Sequence, residues 1–300
     1  MHLPTYDWNS AEYESSGNAL EASQHNLLSH WQDYLDRSMA FQRQCLQHCQ
    51  GGSLAVLGAG RLLDLDLAAC LDYCSEITFY DADPGVWPAW RAAQEQYGSE
   101  RIKGQVIDLT GTVGAWNQAL YSFLCSSEPD IELLSKFFIE LEPMPAPVIR
   151  ADTVLSLNMF GQLGAYWNNQ TRRAISEHWQ LQRDFQSGLF SVYPPPLEEA
   201  RAQSTRKLEE QHLRLLTAAA ARQVILISDV ANTCYRNGQC YWQHPVLEVD
   251  CEKILLPGFN QESCADWQWD RIPQGVVWPE LSRLTDVRAW HFRRHFSSAG

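Results

Sequence analysis

The chain has 300 residues, 45% of them hydrophobic and 20% charged, enough to bury one large α/β core or two smaller ones. A net charge of −13 repels phosphate backbones, so nucleic acid is not an expected partner. No apolar run approaches the ~20 residues of a membrane span. Residues 1–10 carry no signal-peptide pattern and the nine cysteines include no CxxC, so reduced thiols, a cytoplasmic location and no metal site are predicted.

Residues 1–18 are polar and read as an arm or lid, while Leu27, Leu28, Trp31, Leu35, Met39 and Phe41 recur at helical spacing across 19–50. Gly51-Gly52 stops that helix, so 1–50 reads as an N-terminal arm and helix capping a domain over 51–300. Residues 53–57 form a short apolar strand ending in Gly58-Ala59-Gly60, and 61–73 look helical. A second strand, 76–80, closes on Asp81, and a helix bearing Trp87, Trp90, Ala93 and Tyr97 stops near Gly98. A third strand, 104–107, closes on Asp108. Helical pieces at 116–124 and 131–141 and a Pro-rich exit make an insert near 112–150. Strand four spans 152–158, helices cover 169–186 and 198–221 as a second insert, and strand five, 224–228, closes on Asp229. Short β-like pieces follow at 246–249, 267–272 and 287–292.

Strands alternating with helices predict a doubly wound, mostly parallel seven-stranded α/β sheet with an antiparallel terminal strand and an N-terminal helical segment. The junction at Gly58-Ala59-Gly60 carries the sharpest chemical signal. Glycines let the backbone turn tightly and approach a ligand, and a carboxylate at the end of the next strand suits a ribose diol. Asp81 lies 23 residues after Gly58, close to the expected ~20. Two ligand classes compete. A dinucleotide needs a small residue at the third glycine position, where Leu63 stands, whereas S-adenosylmethionine has no pyrophosphate and makes no such demand.

Here the chain resembles the class I S-adenosylmethionine-dependent methyltransferases. Val56-Leu-Gly-Ala-Gly60 resembles their first motif, Phe79-Tyr-Asp81-Ala-Asp83-Pro84 their second, and Val106-Ile-Asp108-Leu-Thr their third. Residues 156–162 (Ser-Leu-Asn-Met-Phe-Gly-Gln) occupy the fourth-strand position and Leu226-Ile-Ser-Asp229 the fifth. The resemblance covers residues 51–295 and implies S-adenosylmethionine as cofactor, bound by Gly58, Ala59, Gly60, Asp81, Ala82, Asp108, Leu109 and Asn158. Asp81 would take the ribose and Asp108 the adenine amine. Gln162, Tyr166, Trp167 and Asp229 stand where a small-molecule acceptor would bind. Asp64 and Asp66 follow the glycines, either facing the methionine amino group or simply occupying a helix start.

The first motif departs from the family pattern, with Val56 where an acid is usual, and strand four lacks an Asn-Pro-Pro-Tyr motif. No catalytic base is assigned. Three functions therefore stand: methyl transfer, a catalytically inactive methyltransferase-like binding protein, and an NAD-dependent oxidoreductase on the same kind of sheet.

Overall fold

The computed structural model describes residues 11–98, 100–128, 130–179, 194–274 and 280–295. Residues 1–10 of the arm predicted over 1–18, the end of the helix predicted to reach 186, and most of the following loop lie outside them, while 11–18 are helical and belong to the first helix.

Helix α1 (Ala11–Leu46) leads into β1 (Ser53–Leu57), α2 (Leu67–Tyr73), β2 (Glu76–Asp81), α3 (Trp87–Tyr97) and β3 (Ile102–Val106). Helices α4 (Val113–Ser126) and α5 (Ile131–Glu140) precede β4 (Ala151–Leu157). Helices α6 (Met159–Trp179) and α7 (Pro195–Ala219) separate β4 from β5 (Ala220–Arg236), and β6 (Gln239–Pro245), β7 (Phe259–Ile272) and β8 (Leu281–Arg294) complete the order.

The sheet runs β3-β2-β1-β4-β5-β8-β7, with β1 to β5 parallel and β8 antiparallel between β5 and β7. This is the doubly wound sheet with antiparallel terminal strands that the alternation predicted, with eight strands instead of seven. The extra strand, β6, pairs antiparallel with residues 231–236 of β5. Strand β4 pairs with β5 only as far as Ile227. Beyond that point β6 takes β4's place, so the sheet overhangs the end of β4. Sequence periodicity missed β6 because almost all of it is exposed and it shows no apolar alternation.

Parallel strands covered on both faces read as continuous apolar runs, and the last four residues of β1 are all buried. On one face, Trp31, Tyr34, Phe41, Cys45 and Leu46 of α1 join α2, α3, Trp267 and Trp269 in one core. On the other, α7 covers Ala55, Val154, Leu226 and Trp290. A third cluster around Trp116, Phe138 and Trp167 ties α4, α5, α6 and α7 together. Among the described residues no helix is long and apolar enough to cross a membrane.

Strand β5 does not close on Asp229 as predicted but runs from Ala220 to Arg236, because β6 and β8 pair with its extension, and three further differences have physical reasons. Residues 61–66 are irregular rather than helical, because Leu62 holds φ 63° and Asp66 caps α2 by accepting from the Ala69 N–H at 3.0 Å. Helix α6 begins ten residues early, since Gly161 and Gly164 serve close packing and do not break it. A Cβ on Gly161 would lie 2.8 Å from the Asp229 carbonyl oxygen, and one on Gly164 2.5 Å from Thr205 Cγ2. We expect Gly161→Ala to destabilise the protein by about 1–3 kcal/mol in chemical denaturation, the cost of overpacking against backbone; an unchanged midpoint would mean α6 shifts freely. Residues 246–249 form no strand. The Glu248 and Val249 N–H groups instead donate to the buried Glu209 carboxylate at 2.8–3.1 Å.

Burial holds His212 neutral, with its pKa pushed down to about 4, and Nε2 lies 2.9 Å from Ser156 Oγ. The unfolded chain therefore binds a proton at this position between about pH 6.5 and 4 that the folded chain refuses. Stability from this group is complete above pH 6.5 and is lost as pH falls to 4, by roughly 3 kcal/mol. His212→Gln should flatten that slope in pH-dependent melts, and an unaltered slope would acquit His212.

Candidate functional site

In an open α/β sheet, ligands bind where the strand order reverses, outside the carboxyl ends of the strands. Here the chain runs outward from β1 to β3 and returns on the other side through β4, so the reversal lies between β1 and β4. Gly58 ends one of these strands and Asn158 the other.

Gly58 has φ 71°, and a Cβ there would meet the Leu157 carbonyl at 2.8 Å and Met159 Cβ at 2.9 Å. Only glycine fits both the left-handed conformation and that contact. The Gly58 and Ala59 N–H groups donate to the Tyr80 carbonyl at 2.9 and 3.2 Å. The Gly60 N–H donates to Asp81 Oδ2 at 2.8 Å and the Asp83 N–H to Asp81 Oδ1 at 3.0 Å. Asp81 thus fastens the glycine turn to the end of β2, and each oxygen keeps a further lone pair. Burial pushes its carboxyl up, opposed by these N–H groups. From below, the Trp90 indole N–H donates to the Gly60 carbonyl at 2.9 Å.

The two acids after the glycines separate in role. Asp66 caps α2 and pairs with Arg43 of α1 at 2.6 Å. Asp64 turns toward the strand reversal. Its Oδ2 accepts from Asn158 Nδ2 at 2.7 Å and from the Tyr34 hydroxyl at 3.3 Å, and Asn158 Nδ2 also donates to Tyr34. Asn158 holds φ 49°, a left-handed conformation uncommon outside glycine and a mark of functional sites. The Asp64 carboxyl is raised, by burial first. Among the described residues, no cationic side chain hydrogen-bonds to it.

Asp229 in β5 extends the cluster. Its Oδ2 pairs with Arg271 of β7 at 2.8 Å, while burial raises its carboxyl against the pull of Arg271 and Arg283. Burial, then the charges of Asp64 and Asp229, hold the Tyr34 hydroxyl well above its usual range. The Tyr34 ring stacks on Trp269 at 4.3 Å, and Arg271 lies over that indole at 5.0 Å. Asn158 Oδ1 and Asp229 Oδ1 are buried without a hydrogen-bond partner among the described residues. Such atoms cost stability unless something else meets them.

The remaining predicted residues fall in different places. Asp108 Oδ1 accepts from the Thr110 N–H at 2.9 Å and hydroxyl at 2.6 Å, and Leu109 is buried beside β1 and β4. Ala82 follows Asp81 at the end of β2. Gln162 is exposed and Tyr166 half-buried on α6, whereas Trp167 packs its ring against Trp116 and Phe138 and donates to Ser204 Oγ at 2.9 Å. Sequence reading missed Tyr34, Arg271 and Arg283. Tyr34 sits in the apolar stripe of α1 beside Trp31, and nothing local distinguishes it from a core aromatic. Two cavities, of about 410 and 470 Å³, lie elsewhere, the first by Ser53, Asp152 and Arg294 at the opposite ends of the strands and the second between residues 142–150 and α7. Neither is lined by Gly58, Asp64, Asp81 or Asn158.

No family model matches the chain, and no curated protein matches it. Solved structures similar to it include magnesium protoporphyrin IX methyltransferase from Synechocystis, with 13% identity, 94% of this chain and 96% of that one covered, and a TM-score of 0.44. The N-methyltransferase NodS of Bradyrhizobium japonicum shares 10% identity over 95% of this chain and 99% of that one, with a TM-score of 0.41. The YcgJ protein of Bacillus subtilis shares 8% identity over 87% of this chain and all of that one, also at 0.41. At these scores the likeness does not assign an activity.

Proposed function

We propose that this chain transfers a methyl group from S-adenosylmethionine to a small-molecule acceptor. Two groups at the strand reversal carry this reading: a half-buried Asp64 carboxylate with no cationic hydrogen-bonding partner among the described residues, and beside it a buried Asn158 Oδ1 with no partner among them. Acceptor atoms under low dielectric call for a cation. The methionine ammonium supplies one, while a pyrophosphate would meet a carboxylate there. Leu63 counts against a dinucleotide in the same sense.

Bound S-adenosylmethionine would bring a methyl group already activated on a positively charged sulfur. The chain's task is then to hold, align and exclude water. The bare backbone of Gly58, Ala59 and Gly60 lets the ligand approach, and the spare lone pairs of Asp81 accept the two ribose hydroxyls. Ala82, Asp108 and Leu109 flank the adenine, with Asp108 Oδ2 toward its amino group. Asp64 and Asn158 hold the ammonium, so Asp64 supplies the charge that Val56 does not. Gln162, Tyr166 and Asp229 border the acceptor, and Trp167 braces α6 from behind. The net charge of −13 and nine free thiols in the sequence favour a small-molecule partner over nucleic acid and a reducing, cytoplasmic setting.

A second reading, a non-catalytic binding protein, draws on Tyr34, whose hydroxyl already occupies Asp64. Calorimetric titration with S-adenosylmethionine, S-adenosylhomocysteine and NADH tests all three. Binding of the first two alone supports methyl transfer. Binding of neither removes it, and binding of NADH alone installs an oxidoreductase instead.

A further inference from the structure

We propose that the overhang of β5, β6 and β8 forms the acceptor subsite, and that Arg283 there binds the carboxylate of an aromatic acid. The inference rests on the methyl-transfer reading of the adjoining cluster.

Strand β5 lies between β6 and β8 in the overhang. Cys234 pairs with Trp242 on one side and Arg283 on the other, and Asn232 pairs likewise with His244 and Thr285. Residues aligned across strands point to the same face. Thr285 Oγ1 donates to Asn232 Oδ1 at 2.7 Å, and Thr285 is aligned with Trp269, the indole on which Tyr34 stacks. The rungs Trp242–Cys234–Arg283 and His244–Asn232–Thr285 therefore face the same way as the Asp64 cluster and stand directly beyond it.

Two strand spacings, about 10 Å, separate the Trp242 and Arg283 backbones, with Cys234 between them and the Tyr241 hydroxyl bonded to Cys234 within reach of the Arg283 charge. Trp242 and Tyr241 thus form an aromatic wall that faces a guanidinium. Trp242 and His244 stack at 5.2 Å, and the half-exposed Tyr241, the bulged residue beside Trp242, lies under Arg236 at 5.4 Å.

The Arg283 side chain makes no hydrogen bond among the described residues, its Nε is buried, and its charge acts on Asp229 and Tyr241. Of seven buried side-chain polar atoms without a partner among the described residues, five belong to this face: Asn158 Oδ1, Asp229 Oδ1, Trp267 Nε1, Trp269 Nε1 and Arg283 Nε. They divide by chemistry. The two acceptors stand just after β4 and within its neighbour β5, where the donor's cation is placed. The three donors stand on β7 and β8, where an anion fits. A single guanidinium fork matches a carboxylate in two-point contact. A doubly charged phosphate would set its second charge against Asp229.

The test uses the full chain saturated with S-adenosylhomocysteine. Benzoate, 4-hydroxybenzoate and 2-naphthoate are titrated at low ionic strength beside their neutral methyl esters, with ligand-observed NMR as the readout. Each acid should bind at least tenfold more tightly than its ester. Arg283→Met should reduce that ratio to within threefold, and Arg283→Lys should retain part of it, with melting curves of both variants confirming the fold. Equal binding of acids and esters, no binding of any acid at millimolar concentration, or a ratio untouched in folded Arg283→Met would overturn the subsite. If S-adenosylhomocysteine fails to bind while the acid preference and its loss in Arg283→Met persist, the anion site stands and the methyl-donor reading falls.

Discussion

Replacing Asp64 by Asn is expected to weaken S-adenosylmethionine binding about 10- to 100-fold, the roughly 1.5–3 kcal/mol of hydrogen bonds to a charged group. The substitution keeps the side chain's shape and one oxygen to accept from Asn158 and Tyr34, so the cluster survives. It removes the charge that the ammonium would meet. The same change relieves a carboxylate that burial already disfavours. Melting temperature should therefore hold or rise while affinity falls, which separates a binding role from a structural one. Calorimetric titration of the folded variant reads the first quantity and calorimetric melting the second. An unchanged dissociation constant would take Asp64 out of the site, and a collapse in stability would make it part of the scaffold.

Trp90→Ala should be the most damaging single substitution to the glycine turn, costing about 3–5 kcal/mol in denaturant unfolding. Trp90 is fully buried, its ring 5.7 Å from Phe79 and 5.4 Å from Trp87. It fills the space left by Gly104, where a Cβ would collide with the indole. Its N–H also fixes the Gly60 carbonyl. Trp90→Phe isolates that second role, preserving most of the packing while freeing the carbonyl. It should cost about 1 kcal/mol of stability and weaken S-adenosylmethionine binding through a looser turn. A Phe variant with native affinity would show that β1 and β2 alone set the turn.

The strands of the parallel sheet were legible because burial on both faces leaves short apolar runs bounded by glycine and aspartate. The acids at 81 and 108 were legible for the same reason, since each closes such a run. Asp64 and Asp66 were not separable by sequence, as both precede a helix and either residue type favours a helix start. What divides them is the left-handed Leu62, which delays α2 until residue 67 and makes Asp66 the cap. Helix α6 was misjudged because Gly161 and Gly164 read as loop residues, while their real constraint is the closeness of β5 and α7. Tyr34 and Asn158 meet across 124 positions, and no local pattern encodes a meeting of that range. Arg283 is similar, as its surroundings come from two strands distant in sequence.

The placement of β8 bears on how the chain is made. Strand β5 cannot gain its long antiparallel neighbour β8, nor β7 a place in the sheet, until residues 281–294 have left the ribosome. Helix α1, made before every strand of the sheet, docks on Trp267 and Trp269 of β7. Part of its apolar stripe therefore stays uncovered until residues 259–272 follow. Contacts of such long range form slowly, and an unpaired β5 edge invites association with other chains in the interval. A nascent chain stalled before Leu281 should be bound by chaperones and cut by protease within β5, whereas extension past Arg294 should close that window.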